Sequence, residues 1–132
     1  MRVLLVDDNP DVRQALTAAL QAIPGVVLLG EAADGVFAVP LAHSMRPDVI
    51  IMDLDMPIMD GIEATRMICA DCPSVRVIGL ALEQPAQRVQ AMLDAGASIC
   101  VGSSEALSTL VRALARHSAH PGAADAHDPD RR

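Results

Sequence analysis

The chain has 132 residues, 52% of them hydrophobic and 20% charged, and a formal net charge of −7. That fits one folded domain and excludes global disorder, which needs low hydrophobicity and high charge. An acidic chain whose only aromatic residue is Phe37 is also a poor nucleic-acid binder by itself, and no direct binding is expected.

Val3-Leu4-Leu5-Val6 reads as a buried strand. Met1-Arg2 leads straight into it without a signal-peptide pattern, so the expected location is cytoplasmic. Val12, Ala15, Leu16, Ala19, Leu20 and Ile23 then recur at helical spacing until Pro24-Gly25. Val26 to Gly30 is a second strand, followed by a helix from about Asp34, its N-cap, to Met45. Pro40 inside that helix is expected to kink or split it. Val49 to Met52 is the third strand, and a helix from about Asp60 to Asp71 is closed by Pro73. Val75 to Leu80 is the fourth strand, and the helix Pro85 to Ala95 stops at Gly96. Ile99 to Val101 is a short fifth strand. Ala106, Leu107, Leu110, Val111 and Leu114 mark a last helix. The expected division is a domain over 1–117 and a flexible tail or linker over 118–132. No apolar run approaches the ~20 residues of a membrane helix, and no membrane contact is expected.

Five strand–helix units with strands apolar on both faces argue for an α/β parallel sheet covered on both sides. In such doubly wound sheets, ligands bind beyond the carboxyl ends of the strands. Asp7, Asp8 and Asn9 follow the first strand; Asp53, Leu54, Asp55, Met56 and Pro57 follow the third. Two acidic clusters on neighbouring strand ends suit a hard divalent cation such as Mg²⁺, and a carboxylate beside it suits nucleophilic attack on a phosphoryl group. The plainer alternative is that these acids cap the helices that follow.

Val3 to Asn9 with Arg13 resembles the opening of a response-regulator receiver domain, and Met52 to Gly61 resembles its phosphorylation loop. Gly30-Glu31-Ala32-Ala33-Asp34-Gly35 and Arg46-Pro47-Asp48-Val49 are similar to that family too. The resemblance covers about residues 2–116 and is nearest to receivers that precede a helix-turn-helix DNA-binding domain. It implies a flavodoxin-like five-stranded sheet of order 2-1-3-4-5. It implies Asp53 as phosphoacceptor from a sensor histidine kinase or phosphotransfer protein. Asp8, Asp53 and the backbone carbonyl of Asp55 would hold Mg²⁺, supported by Asp7. Pro57 and Gly61 would shape the loop, and Asp55, with Glu83, would tune phosphoryl lifetime. The face of the fourth helix, fifth strand and fifth helix, with Arg88, Gln90, Asp94, Ser108 and Arg112, would carry output or a homodimer. Catalysis beyond self-phosphorylation and self-dephosphorylation is not implied.

Three positions depart from the family's pattern. A serine or threonine normally ends the fourth strand, where this chain has Ala81. A lysine normally ends the fifth; here the position is Ser103, and all ten basic residues of the chain are arginine. Cys100 stands where the switch aromatic is usual. A charged hydrogen bond is worth ~1.5–3 kcal/mol and a neutral one ~0.5–1.5, so losing both removes roughly 2–4.5 kcal/mol. A full population switch needs about 5.5 kcal/mol. The expectation is an atypical receiver that binds Mg²⁺ and switches poorly by the usual route. Arg88 is the candidate substitute cation, weighed against the solvated helix face that arginine ordinarily takes.

Two other readings compete. One is a pseudo-receiver, recognised whether or not it is phosphorylated. The other takes Asp53-Leu54-Asp55 as similar to the motif of haloacid-dehalogenase-type phosphatases, a family that also uses a later lysine. Cys69-Ala70-Asp71-Cys72 has metal-ligand spacing, but it lies at a helix C-terminus without a second pair, so packing is the expected role. The odd cysteine count argues against a disulfide framework.

Overall fold

A computed structural model describes residues 1–119. The strands β1 (Arg2–Val6), β2 (Val27–Ala32), β3 (Val49–Asp53), β4 (Arg76–Leu80) and β5 (Ile99–Val101) form one parallel sheet in the order β2-β1-β3-β4-β5. Between and after them run α1 (Pro10–Gln21), α2 (Gly35–Met45), α3 (Gly61–Asp71), α4 (Ala86–Ala95) and α5 (Ser104–Ala119). This is the expected flavodoxin-like arrangement.

The sheet is a two-sided partition. Residues of β1 from Val3 to Val6 and of β3 from Val49 to Met52 are at most 3% exposed, so both central strands are covered on each face. Alternation along the strands sends Leu4, Val6, Ile50, Met52 and Val77 into one core with Ala38, Ala42, Ala64, Ile68 and Met92. It sends Val3, Leu5, Val49, Ile51, Ile78 and Leu80 into the other, with Leu16, Leu20, Leu107 and Val111. α1 and α5 therefore cover one face, and α2, α3 and α4 the other. The chain reverses its direction of travel across the sheet between β1 and β3. The crevice of a doubly wound sheet opens at that point.

Three expectations need correction. α2 is one uninterrupted helix, so Pro40 does not split it. Pro40 and Val36, the residue four back whose carbonyl loses its donor, are both exposed, so the missing bond lies on the solvent side. β2 starts and ends later than its apolar run because pairing with β1 continues to Val6 opposite Ala32, and a register shift takes up Leu29. Glu31 is tolerated there because Arg13 and Thr17 of α1 bind its carboxylate, each at 3.0 Å. Finally, α5 runs to Ala119, two residues past the expected boundary. The expected tail from 120 to 132 lies outside the described residues.

Candidate functional site

Asp7 and Asp8 leave the end of β1, and Asp53 is the last residue of β3. The two strands are neighbours with Val6 opposite Met52, so the carboxylates meet in one crevice. One oxygen from each of Asp7, Asp8 and Asp53 lies within 4.8 Å of the others. Asp7 is buried, Asp53 half-buried and Asp8 exposed.

None of these three acids caps the helix that follows. Asn9 does that for α1, its Oδ1 accepting from the Asp11 and Val12 amides at 2.9 and 3.2 Å. Asp60 does it for α3, accepting from the Glu63 amide at 2.9 Å. The capping role thus falls to Asn9 and Asp60, not to the acid cluster.

Crowding governs its charge. Burial, then the neighbouring Asp7, push the Asp53 carboxyl up to about 7. A hydrogen bond from the Asp55 amide opposes the shift, while Asp8 adds to it through a hydrogen bond and its charge. Asp7 is also raised, first by burial and then by Asp8; a hydrogen bond from the Asn9 amide at 2.9 Å and the charge of Arg13 hold it back. Arg13 donates to the Asp7 carbonyl at 2.7 Å, which leaves its guanidinium on the backbone behind the cluster. Hard carboxylate oxygens, mutually repelling in a half-buried crevice, fit a divalent cation of the Mg²⁺ type.

The loop after β3 is tightly built. A Cβ at Gly61 would overlap the Asp53 carbonyl, so only glycine lets α3 start against the strand end. The Gly61 amide donates to the Leu54 carbonyl at 2.9 Å. Between them the Met59 amide donates to the Pro57 carbonyl at 2.7 Å, with Ile58 at a φ of 71°. This is a γ-turn of the positive-φ kind, rare and strained, and here it carries a β-branched residue. The Ile58 side chain is 87% exposed.

The ends of β4 and β5 offer different groups. Ala81 is buried, its amide donating to the Val101 carbonyl at 2.8 Å. Cys100 lies opposite Gly79, half-buried. Ser103 is exposed, and its hydroxyl accepts from the Ala106 amide at 3.1 Å, capping α5. Glu83 is an exposed turn residue with a φ of 54°; its neighbour Gln84 reaches the β3 loop instead. Arg88 also reaches it, contrary to the expected solvated helix face. Its Nη2 donates to Asp55 Oδ1 at 2.5 Å and to the Leu54 carbonyl at 3.3 Å, and Nη1 lies 3.6 Å from Asp60 Oδ2.

Comparison with known proteins settles the family. The description "Response regulator receiver domain" matches residues 3–115. The chain belongs to the response-regulator receiver family. This receiver is 45% identical over 97 residues to the transcriptional regulatory protein LiaR of Bacillus subtilis, spanning 74% of this chain and 46% of that protein. It is 43% identical over 98 residues to a protein-glutamate methylesterase/protein-glutamine glutaminase of Myxococcus xanthus, spanning 74% of this chain and 28% of that one. Its fold superposes on a two-component response regulator of the LuxR family from Aurantimonas with a TM-score of 0.80 and 30% identity, covering 98% and 96% of the two chains. The receiver spans less than half the length of these two curated relatives.

The receiver is thus a module of two-component signalling, and its family works with histidine kinases or phosphotransfer proteins. No helix among the described residues is long and apolar enough to cross a membrane. Cys72 is buried and Cys69 half-buried at the end of α3, both free thiols, and burial pushes Cys69 up. On α4, Gln90 donates to Asp94 at 2.9 Å, but Arg88 is turned from that face to the site. Sequence reasoning missed Gln84 and the role of Asp60 beside Arg88. The only available signal was their proximity in sequence to the ends of β3 and β4.

Proposed function

We propose that this receiver accepts a phosphoryl group on Asp53 from a sensor histidine kinase or phosphotransfer protein. Asp8, Asp53 and the Asp55 backbone carbonyl would hold Mg²⁺, with Asp7 in support. The observation that carries this reading is the meeting of three carboxylates at the switch point of the sheet while Asn9 and Asp60 do the capping. When bound, Mg²⁺ offsets the negative charge of the carboxylates and the incoming phosphoryl oxygens. An Asp53 oxygen attacks phosphorus, the bond to the donor's imidazole nitrogen breaks, and that nitrogen keeps the electron pair. The product is an acyl phosphate. The Asn9 amide and the Arg13 contact with the Asp7 carbonyl keep the β1 end in place. Gly61 keeps the β3 end open to α3, Pro57 turns the loop, and Asp55 with Glu83 sets the lifetime of the phosphoryl group.

Output is atypical and runs through protein contact. It uses the face of α4, β5 and α5, where a second copy docks, and no nucleic acid is bound by this domain. The names of the relatives support a place in transcription regulation for the protein as a whole. A phosphorylation-independent pseudo-receiver is the second reading, favoured by Ala81 and by a Ser103 hydroxyl already spent on capping α5. The phosphatase reading, in which Asp53 would be nucleophile and Asp55 acid, is disfavoured because the Asp55 carboxylate is committed to Gln84 and Arg88. Incubation with Mg²⁺ and acetyl phosphate, followed by rapid acid quench and intact-mass measurement, tests the proposal. A phosphoryl mass increment absent from Asp53→Asn is expected. No increment at any time, with acetyl phosphate or with kinase, would transfer the case to the pseudo-receiver.

A further inference from the structure

The Asp55 carboxylate joins two elements that the acceptor chemistry does not itself connect. Its Oδ1 receives Arg88 Nη2 and its Oδ2 receives Gln84 Nε2, both at 2.5 Å. The same guanidinium reaches the Leu54 carbonyl at 3.3 Å and lies 3.6 Å from Asp60 Oδ2. The β4–α4 connection and the first turn of α4 are thereby fastened to the loop that carries the acceptor.

The first turn of α4 has no cap of its own. The N-cap residue, Pro85, makes no side-chain capping bond, and the turn holds no acidic residue. Arg88 itself places a cation near the helix N-terminus, where the dipole disfavours one. Asp55 and Asp60 supply, from another element, the negative charge this turn lacks. Asp55 also lies two residues after Asp53, in the loop that leaves the acceptor strand. One residue thus holds α4 by its side chain while its main chain continues from the acceptor.

The charge inventory narrows the choice of cation. The chain has no lysine, and Arg13 is engaged by the Asp7 carbonyl and Glu31 behind the cluster. Arg88 is already on the carbonyl of the residue next to Asp53. Its planar fork suits phosphoryl oxygens as well as carboxylate, and phosphorylation adds about one negative charge beside it.

Resting on the phosphoacceptor reading, we infer that Arg88 is a charge-exchanging latch. It binds α4 to Asp55 while Asp53 is free, and passes to the phosphoryl oxygens when Asp53 is phosphorylated. The first turn of α4 is then released to reseat. Arg88 thus performs the task a hydroxyl at Ala81 and a cation at Ser103 would share.

Beryllofluoride with Mg²⁺, a mimic of the phosphoryl group, tests the latch by amide and arginine Nε–H NMR on the whole chain. In the unmodified protein the Leu54 and Gly61 amides, the Arg88 Nε–H and the amides of Gln87 to Gln90 all shift. In Arg88→Gln the Leu54 and Gly61 amides still respond, the α4 response is lost, and beryllofluoride affinity falls about tenfold or more. Arg88→Lys recovers part of the affinity. Asp55→Asn frees Arg88 without removing it, so the α4 amides of the unliganded protein move toward their beryllofluoride-bound positions. That variant keeps the test open if Arg88→Gln does not fold. An α4 response in Arg88→Gln equal to that of the unmodified protein, or α4 amides unmoved in Asp55→Asn, overturns the latch and leaves the acceptor reading standing. A beryllofluoride titration that leaves Leu54 and Gly61 unmoved in the unmodified protein overturns both.

Discussion

The carboxyl edge of the sheet has two unlike halves. At the ends of β1 and β3, side chains converge: three carboxylates share one crevice, and a glycine lets α3 start against the acceptor strand. At the ends of β4 and β5, Ala81 offers no hydroxyl and Ser103 turns its own to the α5 backbone. Beyond the backbone pairing of β4 with β3, the second half reaches the first through the side chains of Gln84 and Arg88, and these meet the carboxylate of Asp55. On the proposed reading, receiving a charge and reporting it are separable tasks in this fold. The first needs oxygen ligands at the switch point. The second needs a group whose best partner changes when the charge arrives.

The largest expected effect breaks the receiving half. Asp53→Asn abolishes the phosphoryl mass increment, because the amide is a far weaker nucleophile than the carboxylate. Next, the reporting half is rebuilt. Ala81→Thr with Ser103→Lys supplies the missing donor and cation, and beryllofluoride affinity rises about tenfold or more. The same pair costs ~0.5–2 kcal/mol of fold stability, because Ser103 gives up its cap on α5. Thermal melts alongside the titration separate the two effects.

A smaller effect concerns pH. The Asp53 carboxyl is raised from its ordinary 3.8 to about 7 in the folded chain. Between those values the folded state binds more protons than the unfolded state, so metal-free stability falls as pH rises through that window. Asp53→Asn flattens the fall and raises Tm at pH 7, as melts at several pH values would record. The smallest effect concerns the turn in the loop after β3. Ile58→Asn relieves a β-branched residue held at positive φ and raises stability by about 1 kcal/mol, measured by urea unfolding.

Much of this was legible in the sequence, for physical reasons that also mark where reading stopped. Val3 to Val6 and Val49 to Met52 announce central strands because burial on both faces demands an unbroken apolar run. The edge strand β2 is buried less and tolerates Glu31, so its register shift and true ends left little trace. Pro40 misled because its cost depends on which face of α2 it occupies, and that face is solvent. The acidic site was visible because its ligands lie next to strand ends, where topology alone brings them together. The Arg88 contact was not, because a long flexible side chain on a helix can take the solvent or the loop. Only the packed arrangement of α4 beside the β3 loop selects between them.

The proton that the crowded carboxylates hold at neutral pH has a calorimetric consequence. Near pH 7 the Asp53 carboxyl is part-protonated, and a divalent cation entering the crevice must expel that proton to the buffer. The apparent heat of Mg²⁺ binding then includes the buffer's own heat of ionisation. Titrations in two buffers of unlike ionisation enthalpy differ by that contribution, and the difference gives the number of protons released. Well above pH 7 the Asp53 carboxyl is already ionised, and the two titrations draw together.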